Sequence, residues 1–159
     1  MVDHTLIKHA PGSPGLRLFG LGPMFLPKRG ILKLKYLLDK NTIWARKRST
    51  NEIKQMLSKS VAIVSIWKND RIIGFGRATS DGIYRAVLWD IVVEKQYQNL
   101  GIGKLIVTSI LENDLISKVE RLYIMTTNFD KFYLKMGFVY ENEQTLMISN
   151  NKGNNFSNN

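Results

Sequence analysis

The hydrophobic positions of this chain follow helical spacing in its first third and alternation in its middle. In "STNEIKQMLSKS", Ile53, Met56 and Leu57 lie on one helical face behind candidate capping residues at 49–51, and this spacing predicts a helix. The stretch "ILKLKYLLDKNTIW" fits both periods in part, and we expect an edge strand followed by a short helix there.

The middle of the chain predicts three consecutive antiparallel strands. "VAIVSIWK" and "RIIGFGRATS" are rich in β-branched and aromatic residues and are separated by an Asn-Asp pair at 69–70, which suits a tight hairpin. An Asp-Gly turn at 81–82 leads into "IYRAVLWDIVV". Farther on, Ile102, Ile106 and Ile110 return to helical spacing, "RLYIMTT" predicts a buried strand, "FDKFYLKM" a short helix and "GFVYENEQTLMIS" a closing hairpin.

The two ends of the chain differ from this regular middle. Glycine and proline crowd between Pro11 and Gly30, so we expect residues 1–30 to form an irregular N-terminal arm. Residues 149–159 have too little apolar content to pack and are expected to be disordered. A chain of 159 residues with 44% hydrophobic content can bury one core but is short of two ordinary domains, which predicts a single domain at 31–148.

Composition excludes several kinds of chemistry. The chain has no cysteine, which excludes disulfides, thiolate zinc sites and cysteine nucleophiles. The two histidines, His4 and His9, leave little for a histidine metal site, and we expect no metal. No apolar run approaches the roughly 18 to 20 residues that span a bilayer, and no secretory signal pattern opens the chain. We therefore expect a soluble protein with no membrane partner.

The net charge of +10 is concentrated in the first 60 residues, which hold 12 basic and 3 acidic side chains against 11 and 10 in the remainder. A basic surface attracts polyanions without specifying one. A solvated basic face, contact with nucleic acid and contact with an anionic surface or acidic partner all stay open from charge alone.

The stretch "DIVVEKQYQNLGIGKLIV" places a Gly-x-Gly turn between a strand and a helix. Amides at a helix N-terminus lack intrahelical partners and lie at the positive end of the helix dipole, and glycine lets a phosphate approach them closely. Lys104 adds a positive charge in the first turn. The junction therefore predicts a phosphate or pyrophosphate site.

Two other phosphate-binding motifs fit the junction poorly. A Walker loop needs Ser or Thr after its lysine and an earlier glycine at fixed spacing, but Leu105 follows Lys104 and the earlier glycine is missing. A dinucleotide fingerprint needs a third small residue where this chain has Ile106, and it follows a βαβ unit rather than a meander.

Three segments in the second half of the chain resemble the GNAT superfamily of N-acetyltransferases. "YQNLGIGKLIV" is similar to its pyrophosphate-binding motif, "LWDIVV" to the strand before it, and "FDKFYLKMGFVY" to its C-terminal Phe-Tyr-x-x-x-Gly-Phe segment. The stretch "IGFGRATSDGIYRAVLWDIVVEKQYQNLGIGK" resembles the plastid and cyanobacterial branch, which includes plant chloroplast serotonin and protein N-acetyltransferases. Trp44, Arg46 and Arg48 resemble a Trp- and Arg-containing region of that branch.

This resemblance implies an α+β GNAT fold, with a central mixed and largely antiparallel splayed sheet flanked by helices. It also implies acetyl-CoA as co-substrate, bound by the backbone of the strand end and of the following loop. The matching residues are Ile91, Val92, Val93, Gln98, Asn99, Leu100, Gly101, Ile102, Gly103 and Lys104.

Two side chains match the catalytic positions that the resemblance implies. Tyr133 matches the family's general acid, and a phenol with a pKa of about 10 can protonate a thiolate whose thiol has a pKa of about 8.5. Asp90 follows Trp89, and this Trp-Asp pair is associated in the plant branch with substrate binding or base function. From the residues alone, Tyr133 could equally be a core tyrosine, Asp90 could fix a loop or sheet edge, and a water chain could remove the amine proton.

Two features depart from the family pattern. Seven residues before Tyr133, where many members carry Asn and the plant branch Asp, this chain has Thr126, with Asn128 nearby as an alternative pantetheine contact. The branch also closes with an aromatic strand, whereas "TLMIS" here leads into a polar tail. The acceptor pocket is therefore expected to differ from that of the plant enzymes.

The expected function is direct transfer of acetyl from acetyl-CoA to an arylalkylamine, a lysine side chain or a protein N-terminus, so the acceptor is a small molecule or a protein. The alternatives are a non-catalytic acyl-CoA-binding sensor and, less favoured, a nucleic-acid-binding module that uses the basic N-terminal third. We expect a monomer or homodimer. Its location is expected to be the stroma of an algal plastid, whose AT-rich genome suits the Lys- and Asn-rich composition, or the cytoplasm of a cyanobacterium.

Overall fold

Five strands form one sheet whose spatial order is the order of the chain. The computed structural model describes residues 3–10 and 30–149. Strands β1 to β4 pair antiparallel with their neighbours, and β5 runs parallel to β4. The sheet is thus mixed and largely antiparallel, as predicted, with these strands: β1 (Thr5–His9), β2 (Ala62–Lys68), β3 (Arg71–Ser80), β4 (Arg85–Val93) and β5 (Arg121–Ile124).

Five helices accompany the sheet within the described ranges: α1 (Gly30–Asn41), α2 (Thr50–Ser58), α3 (Ile102–Leu111), α4 (Asp114–Ser117) and α5 (Asp130–Leu134). A 3-10 turn, Lys95–Tyr97, follows β4. None of these helices combines the length and apolar content needed to cross a lipid bilayer. The chain divides into two compact units after Met125, so the sheet and α1 to α4 lie in the first unit and α5 in the second.

The sequence predicted α2 correctly and α1 only in part. Ser49 caps α2 in a capping box with Glu52, and Ile53 and Leu57 bury its apolar face. Residues 30–41 form one helix rather than a strand and a short helix, so the prediction of an edge strand there was wrong. The buried positions Leu34, Leu37 and Leu38 follow helical spacing, and their packing overrides the local alternation of "ILKLK".

The two ends of the described chain differ from the predictions. Thr5–His9, expected within an irregular arm, form β1 and pair with β2, because a strand can be stabilised by its neighbour rather than by its own pattern. The rest of the arm, 11–29, and the tail from 150 lie outside the described residues. The expected closing hairpin is not found: residues 138–149 contain no strand, and Val139, Leu146 and Met147 are exposed.

Strands β4 and β5 separate halfway along β4. Their parallel pairing runs from Arg85 to Leu88, and β5 offers no partner to the residues from Trp89 to Val93. A β-bulge lies at the start of this unpaired stretch, where Asp90 and Ile91 together face Gly76 of β3 and Asp90 has a φ of 52°. Within the described part of the chain, the outer edge of β4 therefore has no strand partner along its last five residues, which is the splay that the family resemblance implied.

Burial of His9 makes stability depend on pH. The ring of His9 lies in the interior, with Nε2 2.8 Å from Ser65 Oγ, and Trp67 Nε1 donates to the same hydroxyl at 2.7 Å. Desolvation lowers the pKa of His9 from 6.5 to about 4. Between these two values the unfolded chain binds a proton that the folded protein does not, so folding stability falls as pH decreases through this window.

We expect this histidine to remove about 3 kcal/mol of unfolding free energy as pH falls from about 6.5 to about 4, at 1.36 kcal/mol per pKa unit. Urea unfolding at several pH values measures it, and His9→Gln is the control because glutamine keeps hydrogen-bonding capacity without titrating. The slope of stability against pH should be shallower in His9→Gln than in the original protein. Identical slopes would show that His9 is not the group responsible.

Candidate active site

The loop after β4 turns the chain into α3 through two left-handed residues. Asn99 has a φ of 61° and Gly101, the N-cap of α3, a φ of 83°. The helix is established by the next turn, where Leu105 N donates to Gly101 O at 3.0 Å. Glycine adopts a positive φ without strain, so the glycine that this turn requires is Gly101. Gly103, the other glycine of the predicted motif, lies within the first turn of the helix.

The first turn of α3 presents three amides toward a possible ligand. The N–H groups of Ile102, Gly103 and Lys104 precede the first intrahelical hydrogen bond, and none has an acceptor among the described residues. The Ile102 side chain is buried and anchors the turn, whereas Lys104 is exposed. Free amides, the positive end of a ten-residue helix and a nearby ammonium form a site suited to phosphate groups.

Gln98 is placed differently from the other predicted loop residues. Its side-chain Nε2 donates to the carbonyl of Val93 at 3.1 Å and so ties the loop to the end of β4. This contact occupies one of the strand carbonyls that the sequence predicted to be available to a ligand. Ile91 and Val92 lie in the part of β4 that β5 does not pair, with Val92 opposite Phe75 of β3, and Asn99 and Leu100 are exposed in the loop.

Asp90 lies at the bulge with its carboxylate bound by two arginines. Arg77 Nε donates to Oδ2 at 2.8 Å, and Arg48 Nη1 lies 3.1 Å from both Oδ1 and Oδ2. The exposed fraction of the side chain is 3% for Asp90, 12% for Arg77 and 29% for Arg48. Buried charges are stable only when paired and hydrogen-bonded, and this carboxylate meets that condition with both oxygens.

Arg77, on β3, forms a salt-bridge cluster with Asp90 and Arg48. Its guanidinium lies 5.7 Å from the centre of the Trp89 ring, and its Nη1 is 3.4 Å from Ser60 Oγ. Burial lowers the pKa of Arg77 most, and the charge of Arg48 lowers it further, while the charge and hydrogen bond of Asp90 raise it. The sequence analysis missed Arg77; the available signal was a lone arginine in the apolar stretch "IIGFGRA", on the strand next to Asp90.

Tyr133 lies in the second unit, where the motif around it has a clear structural cause. The chain reverses after α5 at Gly137, whose φ is 91°, and Phe138 N donates to Tyr133 O at 3.1 Å. The rings of Phe132 and Phe138 pack edge-on against that of Tyr133 at centroid distances of 4.9 and 5.5 Å. The Phe-Tyr-x-x-x-Gly-Phe spacing thus fixes the orientation of the tyrosine ring.

The environment of Tyr133 keeps its phenol protonated. The side chain is buried, and desolvation raises its pKa from 10 to about 12. Within residues 126–149 its hydroxyl has no hydrogen-bond partner. A protonated hydroxyl that is not engaged within its own unit can donate to a ligand atom.

Thr126 and Asn128 also lie in the second unit. The hydroxyl of Thr126 accepts a hydrogen bond from Phe129 N at 3.2 Å in the turn that leads into α5. Asn128 is exposed. The structure therefore gives Thr126 a local structural role, and Asn128 as a cofactor contact stays a prediction.

The family model described as an acetyltransferase (GNAT) domain matches residues 59–140, just over half of the chain. The match includes β2 to β5, the loop and Tyr133. The chain belongs to the GNAT acetyltransferase family. This match confirms the predicted superfamily, whose members use acetyl-CoA.

Two curated relatives illustrate the branch of GNAT proteins to which the chain is similar. It is 34% identical over 98 residues to an uncharacterized N-acetyltransferase, ycf52, of Porphyra purpurea, an alignment covering 58% of this chain and 56% of that protein. It is 30% identical over 96 residues to the chloroplastic GCN5-related N-acetyltransferase 1 of Arabidopsis thaliana, covering 58% and 49%. Its homologues are N-acetyltransferases of plastids and cyanobacteria, as predicted, and the chain spans about half the length of these curated relatives.

The GNAT fold has a close structural match. A GNAT family acetyltransferase from Streptococcus pneumoniae TIGR4 superposes with a TM-score of 0.70, covering 95% of this chain and all of that chain at 22% identity. At this identity the similarity concerns the fold. It confirms the predicted α+β architecture with a splayed sheet.

Proposed function

We propose that this GNAT protein is an acetyl-CoA-dependent N-acetyltransferase that transfers acetyl directly from the thioester to an amine. The observation that carries the proposal is the combination, in one unit, of an unpaired edge on β4 and unpaired amides at the start of α3. A free strand edge offers backbone donors and acceptors to the amide groups of a pantetheine arm, and the helix start offers donors to its pyrophosphate. Family membership supports the same function.

The binding roles follow from which backbone N–H and C=O groups of the loop and strand already have a hydrogen-bond partner. The amides of Ile102, Gly103 and Lys104 would bind the pyrophosphate, with Asn99 and Leu100 lining the loop. The edge of Ile91 and Val92 would bind the pantetheine arm, while the Val93 carbonyl stays with Gln98. A second proposed contact of that arm is Asn128.

In the reaction, the C–N bond to the amine forms as the C–S bond of the thioester breaks, and the thiolate leaves with its proton supplied by the protein. We propose Tyr133 as that donor, because its hydroxyl is protonated at neutral pH and has no hydrogen-bond partner within residues 126–149. A free thiol has a pKa of about 8.5, so a phenol near 12 helps chiefly by donating a hydrogen bond as negative charge develops on sulfur.

The amine must lose one proton, and Asp90 is the acidic residue that the family resemblance places there. Both of its oxygens accept hydrogen bonds from guanidinium groups, an arrangement that favours positioning over proton acceptance. We therefore propose that the proton leaves to solvent and that Asp90 holds the bulge and Arg48 in place. A base role for Asp90 is the alternative.

The acceptor is an arylalkylamine, a lysine side chain or a protein N-terminus, and an acetyl-CoA sensor without turnover is the main alternative function. Nucleic-acid binding by the basic N-terminal third is less favoured, since the charge by itself specifies no partner. We propose that the protein is located in a plastid stroma or a cyanobacterial cytoplasm, and the origin of its relatives supports this location. We also propose that it is a monomer or homodimer.

Replacing Gly103 with valine should weaken acetyl-CoA binding by about tenfold or more, because a branched side chain in the first turn crowds the amides that hold the pyrophosphate. Calorimetric titration with acetyl-CoA measures the change. Thr108→Val, on the same helix farther from its start, is the matched control and should bind as the original protein does. A folded Gly103→Val protein with unchanged affinity would contradict the assignment of the site.

A further inference from the structure

Arg48 bonds the Asp90 carboxylate through a single nitrogen. Nη1 contacts both carboxylate oxygens at 3.1 Å and the sulfur of Met56 at 3.4 Å. The N–H groups on Nε and Nη2 have no partner among the described residues. Guanidinium groups bind carboxylates most strongly through two parallel hydrogen bonds, and the donors left on Arg48 have the geometry for such a pair.

The charges around Asp90 do not balance. One carboxylate faces two guanidinium groups, Arg48 and Arg77, so the cluster carries a net charge of +1. Burial lowers the pKa of Arg77 most, and the like charge of Arg48 lowers it further. A second anion at Arg48 would relieve the repulsion between these like charges.

Among the described residues of this cluster, Arg48 is the most accessible to solvent. Asp90 and Arg77 are almost fully enclosed, whereas Arg48 keeps the largest exposed fraction of the three. The segment leading to it, 43–47, exposes Ile43, Trp44, Arg46 and Lys47 and contains no acidic residue. Asp39, outside the segment, accepts a hydrogen bond from Lys47 N at 3.0 Å and offsets part of this charge. The exposed side chains of the segment itself are apolar or cationic, which suits an anion more than a cation.

The position of the cluster relates it to the reaction. Asp90 is one half of the bulge, and its neighbour Ile91 begins the strand edge assigned to the pantetheine arm. Under the proposed binding of the pantetheine arm, the acceptor would meet the thioester near the bulge whose Asp90 carboxylate Arg48 contacts.

We infer that Arg48 binds a carboxylate carried by the amine acceptor, so that the enzyme favours acceptors such as amino acids or peptides with an acidic residue over purely cationic amines. This inference rests on the proposed acetyl transfer and names its substrate class. Asp90 and Arg77 act as positioning residues, since Asp90 holds the Arg48 guanidinium through Nη1 and Arg77 holds the Asp90 carboxylate.

The test uses matched pairs of acetylated products, so that it needs no turnover. With the protein saturated in CoA, binding of N-acetyltryptophan is compared with that of its amide, and N-acetyl-Ala-Glu-Ala-amide with its Gln counterpart. The carboxylate member of at least one pair should bind about tenfold to a hundredfold more tightly, as expected for a charge-assisted pair of hydrogen bonds. Equal affinity within both pairs, or no binding of any probe, would overturn the inference.

Arg48→Gln should abolish the preference, and Arg48→Lys should restore only part of it, because an ammonium lacks the planar pair of donors. Arg46→Gln removes the same charge from the same segment and should leave the preference intact. Equal losses in Arg46→Gln and Arg48→Gln would reduce the effect to general electrostatic attraction and contradict the inference. Failure of the proposed function would be distinguishable from failure of this inference, because it would appear as a lack of acetyl-CoA binding or of acetyl transfer to any amine.

Discussion

Replacing Tyr133 with phenylalanine is expected to lower the turnover of acetyl transfer by roughly 10²–10⁴-fold, the usual contribution of a general acid. The ring and its edge-on contacts with Phe132 and Phe138 are kept, so only the donated proton is lost. Because burial raises the pKa of Tyr133 to about 12, the wild-type enzyme should show no loss of rate from this group up to about pH 11. Steady-state rates with saturating acetyl-CoA across pH measure both effects.

The chain offers a matched control in the same unit. Tyr140→Phe makes the identical chemical change at an exposed tyrosine whose hydroxyl bonds Asp130 at 2.6 Å. Its turnover should stay within about twofold of wild type, since a group that does not donate to the leaving thiolate lowers no barrier. Wild-type turnover in Tyr133→Phe, under conditions where chemistry is rate-limiting, would remove Tyr133 from the mechanism.

Truncating Asp90 to alanine should lower the free energy of unfolding by about 3–5 kcal/mol, because it leaves buried Arg77 without its anionic partner. The milder Asp90→Asn keeps the shape of the side chain and should lose less. Urea unfolding measures both. Glu112→Gln is the control, since its ion pair with Lys8 is exposed and should contribute at most about 1 kcal/mol.

The pH dependence of Asp90→Asn separates a positioning residue from a base. A positioning residue should leave the shape of the pH–rate profile unchanged, with a raised KM for the acceptor. A base should lower turnover most near neutral pH, with partial rescue at high pH where the amine is already deprotonated. Rescue of that kind would overturn the positioning role and restore Asp90 as the proton acceptor.

The parts of the fold that could be predicted from sequence are those with strong local signals. Asn69 and Asp70 mark the β2–β3 hairpin, and the capping box of Ser49 marks α2. β1 could not be predicted, because Thr5–His9 have a weak pattern of their own and depend on pairing with β2. The expected closing hairpin is not formed, because the apolar run 146–148 is exposed rather than packed and residues 138–149 contain no strand.

The same distinction between local and long-range signals applies to the candidate site. The Gly-x-Gly loop could be predicted because its residues are contiguous, and Gly101 shows the positive φ that explains its glycine. The salt-bridge cluster joins Arg48, Arg77 and Asp90 from separate elements, and no spacing in the sequence connects them. Tyr133 as a donor and Asp90 as a base remain predictions.

The close contact between α3 and the sheet at Gly76 has a consequence for how this family can vary. A Cβ at residue 76 would lie 2.5 Å from Ile106 Cγ2, 2.7 Å from Ile91 Cδ1 and 3.1 Å from Ile110 Cδ1. A homologue with alanine or a larger residue there must therefore move or shrink both Ile106 and Ile91, or shift the helix that starts at the Gly-x-Gly loop together with a rearranged Ile91 side chain. Substitutions at positions 76, 91, 106 and 110 should accordingly be correlated across homologous sequences, with the summed side-chain volume nearly constant.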